Sequence, residues 1–294
     1  MSITDALSSS LLIRGDAAHA FRDPTVLYED GIFYLYCTYV ETEDSGEVYM
    51  YTVVLRSEDL MRWSAPEKLT PRDKSLNYSS PGNIVRHDGK YCMCLQTYCR
   101  ENGEKYGNAN SRIFTMSGSD PMHWDAPVLL PVKGDVPVGD MGRMIDPYLI
   151  YDRTAGLWNC FFKQNGVSRS VSRDLKHWEY RGNFAGGENV SIIEKDGGYY
   201  MFHSPHNGVG VRFSEDLEHW QDVGGLLTFG QNDWDWAKGR LTAGFVLPYT
   251  EDDGSTVYLM FFHGTGPEDE ETIFDTHACI GLAWSYDLLE WHWK

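Results

Sequence analysis

SEDLMRW (57–63) decides the fold because it returns four times, as SDPMHW (119–124), SRDLKHW (172–178), SEDLEHW (214–220) and SYDLLEW (285–291). Successive tryptophans stand 42 to 71 residues apart, close to the roughly 40–50 residues of a propeller blade plus its loops. Ahead of each copy runs a β-rich stretch: DGIFYLYCTY (30–39), DGKYCMCLQTY (88–98), GLWNCFFKQN (156–165), DGGYYMFHS (196–204) and GSTVYLMFFHG (254–264). Aromatic residues alternating with small ones between Asp-Gly turns predict antiparallel strands joined by hairpins. Five such units predict an all-β, five-bladed β-propeller, with four-stranded antiparallel blades around a central axis and only short, protected sheet edges. The blades fall at about 20–71, 78–132, 144–184, 187–229 and 239–294, and residues 1–294 read as one domain. The leading SSSLLIRG (8–15) either adds a strand that closes the ring or trails as a disordered tail.

Composition fits that architecture. Of the 294 residues, 42% are hydrophobic and 14% aromatic, ample for a core. No apolar run approaches the roughly 20 residues of a membrane span, so no membrane partner is expected. A formal net charge of −18 repels polyanions and argues against nucleic acid. The N-terminus shows no basic leader followed by an apolar run, which makes the cytoplasm the expected location. Six cysteines form no CxxC pair and read as small apolar core residues. The acidic run GPEDEETIFD (266–275) reads as a solvated, mobile loop near the mouth of the last blade, with no catalytic role.

Chemistry is expected where the blades begin, because the innermost strands all border the axis and equivalent positions converge there. Aligned on their turn glycines, those strands open as RDPTVLYEDG (22–31), SPGNIVRHDG (80–89), IDPYLIYDRTAG (145–156) and ENVSIIEKDG (188–197). The opening position is then Asp23, Ser80 or Pro81, Asp146 and Glu188. Three carboxylates meeting in one pocket repel one another and spread their pKa values, which separates acid from base. The alternative for each Asp-Pro is a plain turn before a strand.

FRDPTVLYEDGIFYLY (21–36), MIDPYLIYD (144–152) and GENVSIIEKDGGYYMF (187–202) resemble the catalytic segments of glycoside hydrolase family 43, and the likeness runs from about residue 20 to the end. The resemblance implies an inverting glycosidase with Asp23 as general base, Asp146 orienting the pair and tuning its pKa, and Glu188 as general acid. Inversion places base and acid typically ~6.5–9.5 Å apart so that water fits between base and sugar. The chain departs from the family by carrying Glu188-Asn189-Val190 where Gly-Pro commonly follows the glutamate. The substrates implied are oligosaccharides or glycosides with a terminal pentose-type residue: α-L-arabinofuranosides or β-D-xylosides first, then galactosides or galactofuranosides. A retaining fructosidase and a non-catalytic glycan-binding propeller are the other readings.

Sugar rings need flat apolar faces and polar groups for their hydroxyls. Phe21, Arg143, Gln164, Asn165, His206, Trp234, Trp236 and Arg240 are the candidates near blade openings. Arg240 resembles the family's blade-five substrate arginine. Trp234 and Trp236 serve as sugar platforms or as interblade packing, and the five repeat tryptophans are assigned to packing. No cofactor is required. His263, in YLMFFHG, stands where some relatives hold a histidine that helps bind an axial structural calcium through water; a core histidine bonded to a backbone carbonyl accounts for it without metal and is the preferred reading.

Overall fold

A computed structural model describes residues 2–294. Five antiparallel sheets surround a common axis. Their innermost strands are His19–Glu29, Tyr78–His87, Ile145–Asp152, Glu188–Lys195 and Arg240–Thr250, and each sheet builds outward in chain order from its inner strand. The strand Leu11–Ile13, from the SSSLLIRG segment, pairs with Cys279–Ser285 on the outside of blade 5. The N-terminal segment is therefore ring-closing, and it makes blade 5 the one five-stranded sheet, since Trp291–His292 also pairs with Cys279–Ser285.

Local chemistry explains the repeat. Asp30-Gly31, Asp88-Gly89 and Asp196-Gly197 all have positive φ at both positions (51° and 79°, 49° and 74°, 54° and 79°), the paired left-handed geometry of a two-residue hairpin turn. In the SxDLxxW copies, the serine hydroxyl donates to the aspartate, and one aspartate oxygen accepts two backbone N–H groups; at Asp59 these come from Met61 (2.9 Å) and Arg62 (2.8 Å). The leucine between them is forced to positive φ at Leu60 (64°), Leu175 (59°), Leu217 (62°) and Leu288 (76°). That conformation is strained for leucine, and it persists because it buries Leu60, Leu217 and Leu288 completely. Blade 2 has Pro121 there, whose ring forbids positive φ. The tryptophan ring N–H donates back to the leucine carbonyl at Trp63, Trp178 and Trp291, and to Pro121 at Trp124.

Packing lies between blades. Phe33, Leu35 and Val53 of blade 1 meet Leu259, Phe261 and Leu282 of blade 5 in one cluster, while Phe202 and Val211 of blade 4 meet Met260 and Phe262 in another. Burying one such side chain is worth roughly 1.5–3 kcal/mol, so each interface is held by several of them.

Near its start every inner strand carries a β-bulge, with a left-handed residue at Asp23 (φ 48°), Ser80 (43°), Asp146 (51°), Asn189 (52°) and Ala243 (56°). In four blades the N–H of that residue donates to a side chain on the second strand of the preceding blade. The pairs are Asp23 to His263 Nδ1 (3.1 Å), Ser80 to Thr38 Oγ1 (2.7 Å), Asp146 to Gln96 Oε1 (2.6 Å) and Ala243 to Ser204 Oγ (2.8 Å). The bulges thus face one end of the axis and are locked across blade boundaries. Gly82 lies in this ring: a Cβ there would stand 1.5 Å from the Pro147 carbonyl oxygen, so only glycine lets blades 2 and 3 approach.

Candidate active site

The bulges aim Asp23 and Asp146 at one end of the axis, in equivalent positions. Glu188 is not their equivalent. The left-handed position of blade 4 is Asn189, and Glu188 precedes it by one residue, in the place that Arg22, Ser79, Ile145 and Thr242 occupy elsewhere. Counting eight residues back from the turn glycine finds both Asp23 and Asn189. Alignment on residue type chose the neighbouring acid. All three carboxylates nonetheless line one pocket.

A short relay ties two of them together. Thr38 Oγ1 donates to Asp23 Oδ2 (2.9 Å) while accepting the Ser80 N–H, and Ser80 Oγ donates to Asp146 Oδ1 (2.8 Å). Asn189 reaches Asp23 Oδ1 at 3.5 Å. Asp146 is 7% exposed. Burial first, then the charges of Glu188 and Asp23, push its pKa up to about 8 against the opposing Ser80 hydrogen bond and Arg143. The carboxyl group that holds its proton at neutral pH is thus Asp146. Glu188 is instead met by Arg240, whose Nη2 donates to Oε1 at 3.2 Å.

The acidic run 266–275 is the main correction. It is only partly solvated: Pro267, Glu268, Asp269, Glu271 and Thr272 are exposed, but Glu270 is buried. Asp269 caps a one-turn helix, Glu270–Ile273, by accepting the Glu271 N–H, and this turn lays Glu270 into the pocket with its side chain 2% exposed. Glu270 Oε1 pairs with Arg22 Nη2, Oε2 lies 2.6 Å from Arg240 Nη1, and His263 Nε2 lies 3.5 Å from Oε1. The two arginine approaches are off-line for hydrogen bonds and act as ion pairs. Burial pushes the Glu270 carboxyl up, but Arg22, His263 and Arg240 outweigh it and hold the group well below the usual carboxylate range. Further along, Phe274 packs under Arg22 (4.0 Å to the ring centre) and beside Tyr98. Asp275 binds Arg100 through two hydrogen bonds (2.7 and 2.9 Å), and Tyr106 donates to Glu271 (2.7 Å). Blade 5 is thereby strapped to the 98–112 loop of blade 2.

Of the proposed sugar contacts, Arg143 and Arg240 line the pocket and six do not. Phe21 is core, packed on Tyr39. Gln164 ties the 141–143 backbone by donating to the Met141 and Arg143 carbonyls, and Asn165 is an exposed hairpin residue with φ 53°. His206 contributes its carbonyl, which accepts from Arg240 Nε (3.0 Å), while its ring is exposed. Trp234 and Trp236 stack on each other at 4.8 Å and against Phe262, so they pack blade 5. The aromatic wall consists of Tyr98, Tyr106 and Phe274. Neither their spacing nor their neighbours in sequence set them apart among 18 tyrosines and 13 phenylalanines.

His263 does not suit a calcium site. Its Nδ1 accepts the Asp23 N–H, which puts the ring proton on Nε2, facing Glu270; no lone pair remains for a metal or its water. Among the described residues no cluster of three or more His, Cys, Asp or Glu side chains is arranged to hold an ion.

No protein-family model matches the sequence, and no curated protein matches it. The five-bladed propeller architecture is shared with solved glycoside hydrolases. Among these are a thermostable family-43 glycoside hydrolase (TM-score 0.63, 15% identity, covering 95% of this chain and 94% of that one) and a family 117 glycoside hydrolase from the marine bacterium Zobellia galactanivorans (0.65, 14%, 94% and 91%). An exo-1,5-alpha-L-arabinanase from a bovine ruminal metagenomic library is similar to the same extent (0.61, 16%, 95% and 98%).

Proposed function

We propose that the protein is a glycoside hydrolase of the family 43 type that removes a terminal sugar with inversion. The observation that carries the reading is a single pocket lined by four carboxyl groups, Asp23, Asp146, Glu188 and Glu270, of which Asp146 keeps its proton at neutral pH. Inversion needs that mixed state, with one ionised group to activate water and one proton available to the leaving oxygen. In this reading Asp23 takes a proton from water as it attacks the anomeric carbon, and Glu188 delivers a proton to the glycosidic oxygen as the bond breaks. Asp146 holds the cluster's proton in the resting pocket and passes it to Glu188 before the glycosidic bond breaks; the proton that Asp23 takes from water leaves to solvent, and Asp146 is reprotonated from solvent. Arg143 and Arg240 supply donors for sugar hydroxyls, and Tyr98, Tyr106 and Phe274 supply faces for its C–H side.

The strap between residues 98–112 and 266–278 walls one side of the pocket, which favours a chain end over the middle of a polymer. Pentose-type substrates come first, α-L-arabinofuranosides and β-D-xylosides, with galactosides and galactofuranosides next. The test is an aryl glycoside panel of those four sugars plus a β-D-fructofuranoside, with NMR detection of the first anomer released and Asp23→Asn as control. Inverted product that disappears in the control is expected. First release of the retained anomer overturns inversion, and binding without turnover of any member overturns catalysis in favour of glycan capture.

A further inference from the structure

The proposed hydrolysis uses Asp23, Asp146 and Glu188 and leaves one buried acid of the pocket without a part. We infer that Glu270 is a positioning residue: it orients Arg240 against Glu188 and Arg22 beside Asp23, and its negative charge sets the proton balance of the catalytic carboxylates. The inference rests on the hydrolase reading and adds a residue that touches neither water nor sugar.

The geometry is specific. Glu270 Oε2 takes Arg240 Nη1, while Nη2 of the same guanidinium binds Glu188. Glu270 Oε1 takes Arg22, the residue next to Asp23, and faces His263, whose other nitrogen accepts the Asp23 N–H. One carboxylate thereby touches the supports of both Glu188 and Asp23, which come from blades 4 and 1. Without it, Arg240 and Arg22 would direct two uncompensated cations at those acids. A cation beside a carboxylic acid favours loss of its proton, which is the wrong direction for a proton donor.

The other charges around Glu270 do not supply this compensation. On its own segment Asp275 is engaged by Arg100, and Glu271 by Tyr106 and Lys105. From the strands packed against it come Arg22, Asp23, Arg240 and His263, whose Nδ1 accepts the Asp23 N–H. Across the pocket stand Asp146, which keeps its proton, and Arg143, which adds a third cation. Glu270 is thus the anion that balances the arginines.

Glu270→Gln keeps the shape and removes the charge. Two readouts separate this inference from the hydrolase reading: the pH profile of kcat/KM, and 13C NMR titration of labelled Asp and Glu carboxyls, which needs no turnover. Expected are an acidward move of both limbs by about one pH unit, a matching acidward move in the carboxyl titration, and a fall in kcat with KM nearly unchanged. Lower activity with limbs and titration unmoved would reduce Glu270 to a structural contact and overturn the inference. If the wild-type protein turns over no glycoside, the hydrolase reading fails alone, and the titration still decides whether Glu270 governs the cluster. If Glu270→Gln does not fold, Glu270→Asp carries the test: the charge remains but is one methylene short, so the limbs are expected to hold while kcat drops. Full kcat in Glu270→Asp would sink the positioning role.

Discussion

Asp59 and Asp146 are both repeat-borne aspartates beside a strand of the same propeller, yet they lie on opposite sides of the ordinary carboxylate value. Asp59, in an outer turn, is held down to about 2, chiefly by the Arg62 backbone N–H and also by the Arg62 side chain and the Met61 N–H. Asp146, in an inner bulge, is pushed up to about 8 by burial and by Glu188 and Asp23. The outer acid meets N–H donors within three residues of itself and remains near water. The inner acid meets carboxylates delivered by other blades, in a pocket from which water is partly excluded. Local sequence builds the first environment, and the closure of the ring builds the second.

The sharpest way to break this contrast is to remove acids at each end. Asp23→Asn is expected to lower kcat by about 10³-fold, within the roughly 10²–10⁴ that a positioned base supplies, with an unchanged far-UV spectrum. Glu188→Gln is expected to lose about as much on poor leaving groups and much less on activated aryl groups, because only the former depend on proton donation. Equal losses across a leaving-group series would remove Glu188 from the role of acid.

Asp146→Asn tests function and stability together. Activity is expected to drop about 10²-fold, and the alkaline limb of the wild-type kcat/KM profile, expected near pH 8 from the Asp146 value, is expected to disappear. Stability moves the other way, and the sign follows from linkage. A carboxyl with a raised folded pKa contributes its full stability below the unfolded value near 3.8 and loses it as pH rises through about 8. The asparagine variant lacks that loss. Its melting temperature is expected to match wild type near pH 4 and exceed it near pH 8.5; a constant offset across that range would mean Asp146 is not held protonated.

How much of this was legible in the sequence follows the same division. The hairpin turns, the SxDLxxW turns and hence the five blades depend on contacts within a few residues, so the chain displays them directly. Asp23 and Asp146 were also visible, because each precedes a proline at a repeat-equivalent place. Glu188 was found for a partly mistaken reason: residue type outweighed the count of eight from the turn glycine, which points to Asn189. Glu270 was invisible. It stands among five acids in GPEDEETIFD, and only the approach of Arg22 and Arg240, 248 and 30 residues away in sequence, distinguishes it from its solvated neighbours. The tryptophans of 231–244 misled because stacking on Phe262 and stacking on a sugar demand the same side chain.

Asp59→Ala gives a smaller effect than any inner-site change. It leaves the Met61 and Arg62 N–H groups without their acceptor, as the loss of a helix cap would, and such losses cost about 1 kcal/mol. Chemical denaturation is expected to show that decrease while kcat stays at the wild-type value. A catalytic defect would mean that the outer turns transmit to the pocket, and the separation drawn between the two environments would fail.

The smallest expected effect comes from Asp216→Asn, in the fourth outer turn. Asparagine keeps the Oδ1 acceptor for the Glu218 and His219 N–H groups (2.9 and 2.8 Å), so the turn persists. What disappears is the charge beside His219, whose Nδ1 lies 2.7 Å from Asp216 Oδ2. That pairing raises the His219 pKa through the hydrogen bond first and the charge second, and His219 is exposed, where ion pairs contribute little to stability. Melting temperature and activity should therefore not change measurably, while the NMR titration of His219 should fall toward the ordinary histidine value. Added salt should narrow the difference between variant and wild type. A concurrent change in the Asp146 titration would be the informative failure, since it would mean that an outer acid is felt at the axis. On the geometry described, the outer acids interact pairwise with their own turn, and only the inner acids act as a group.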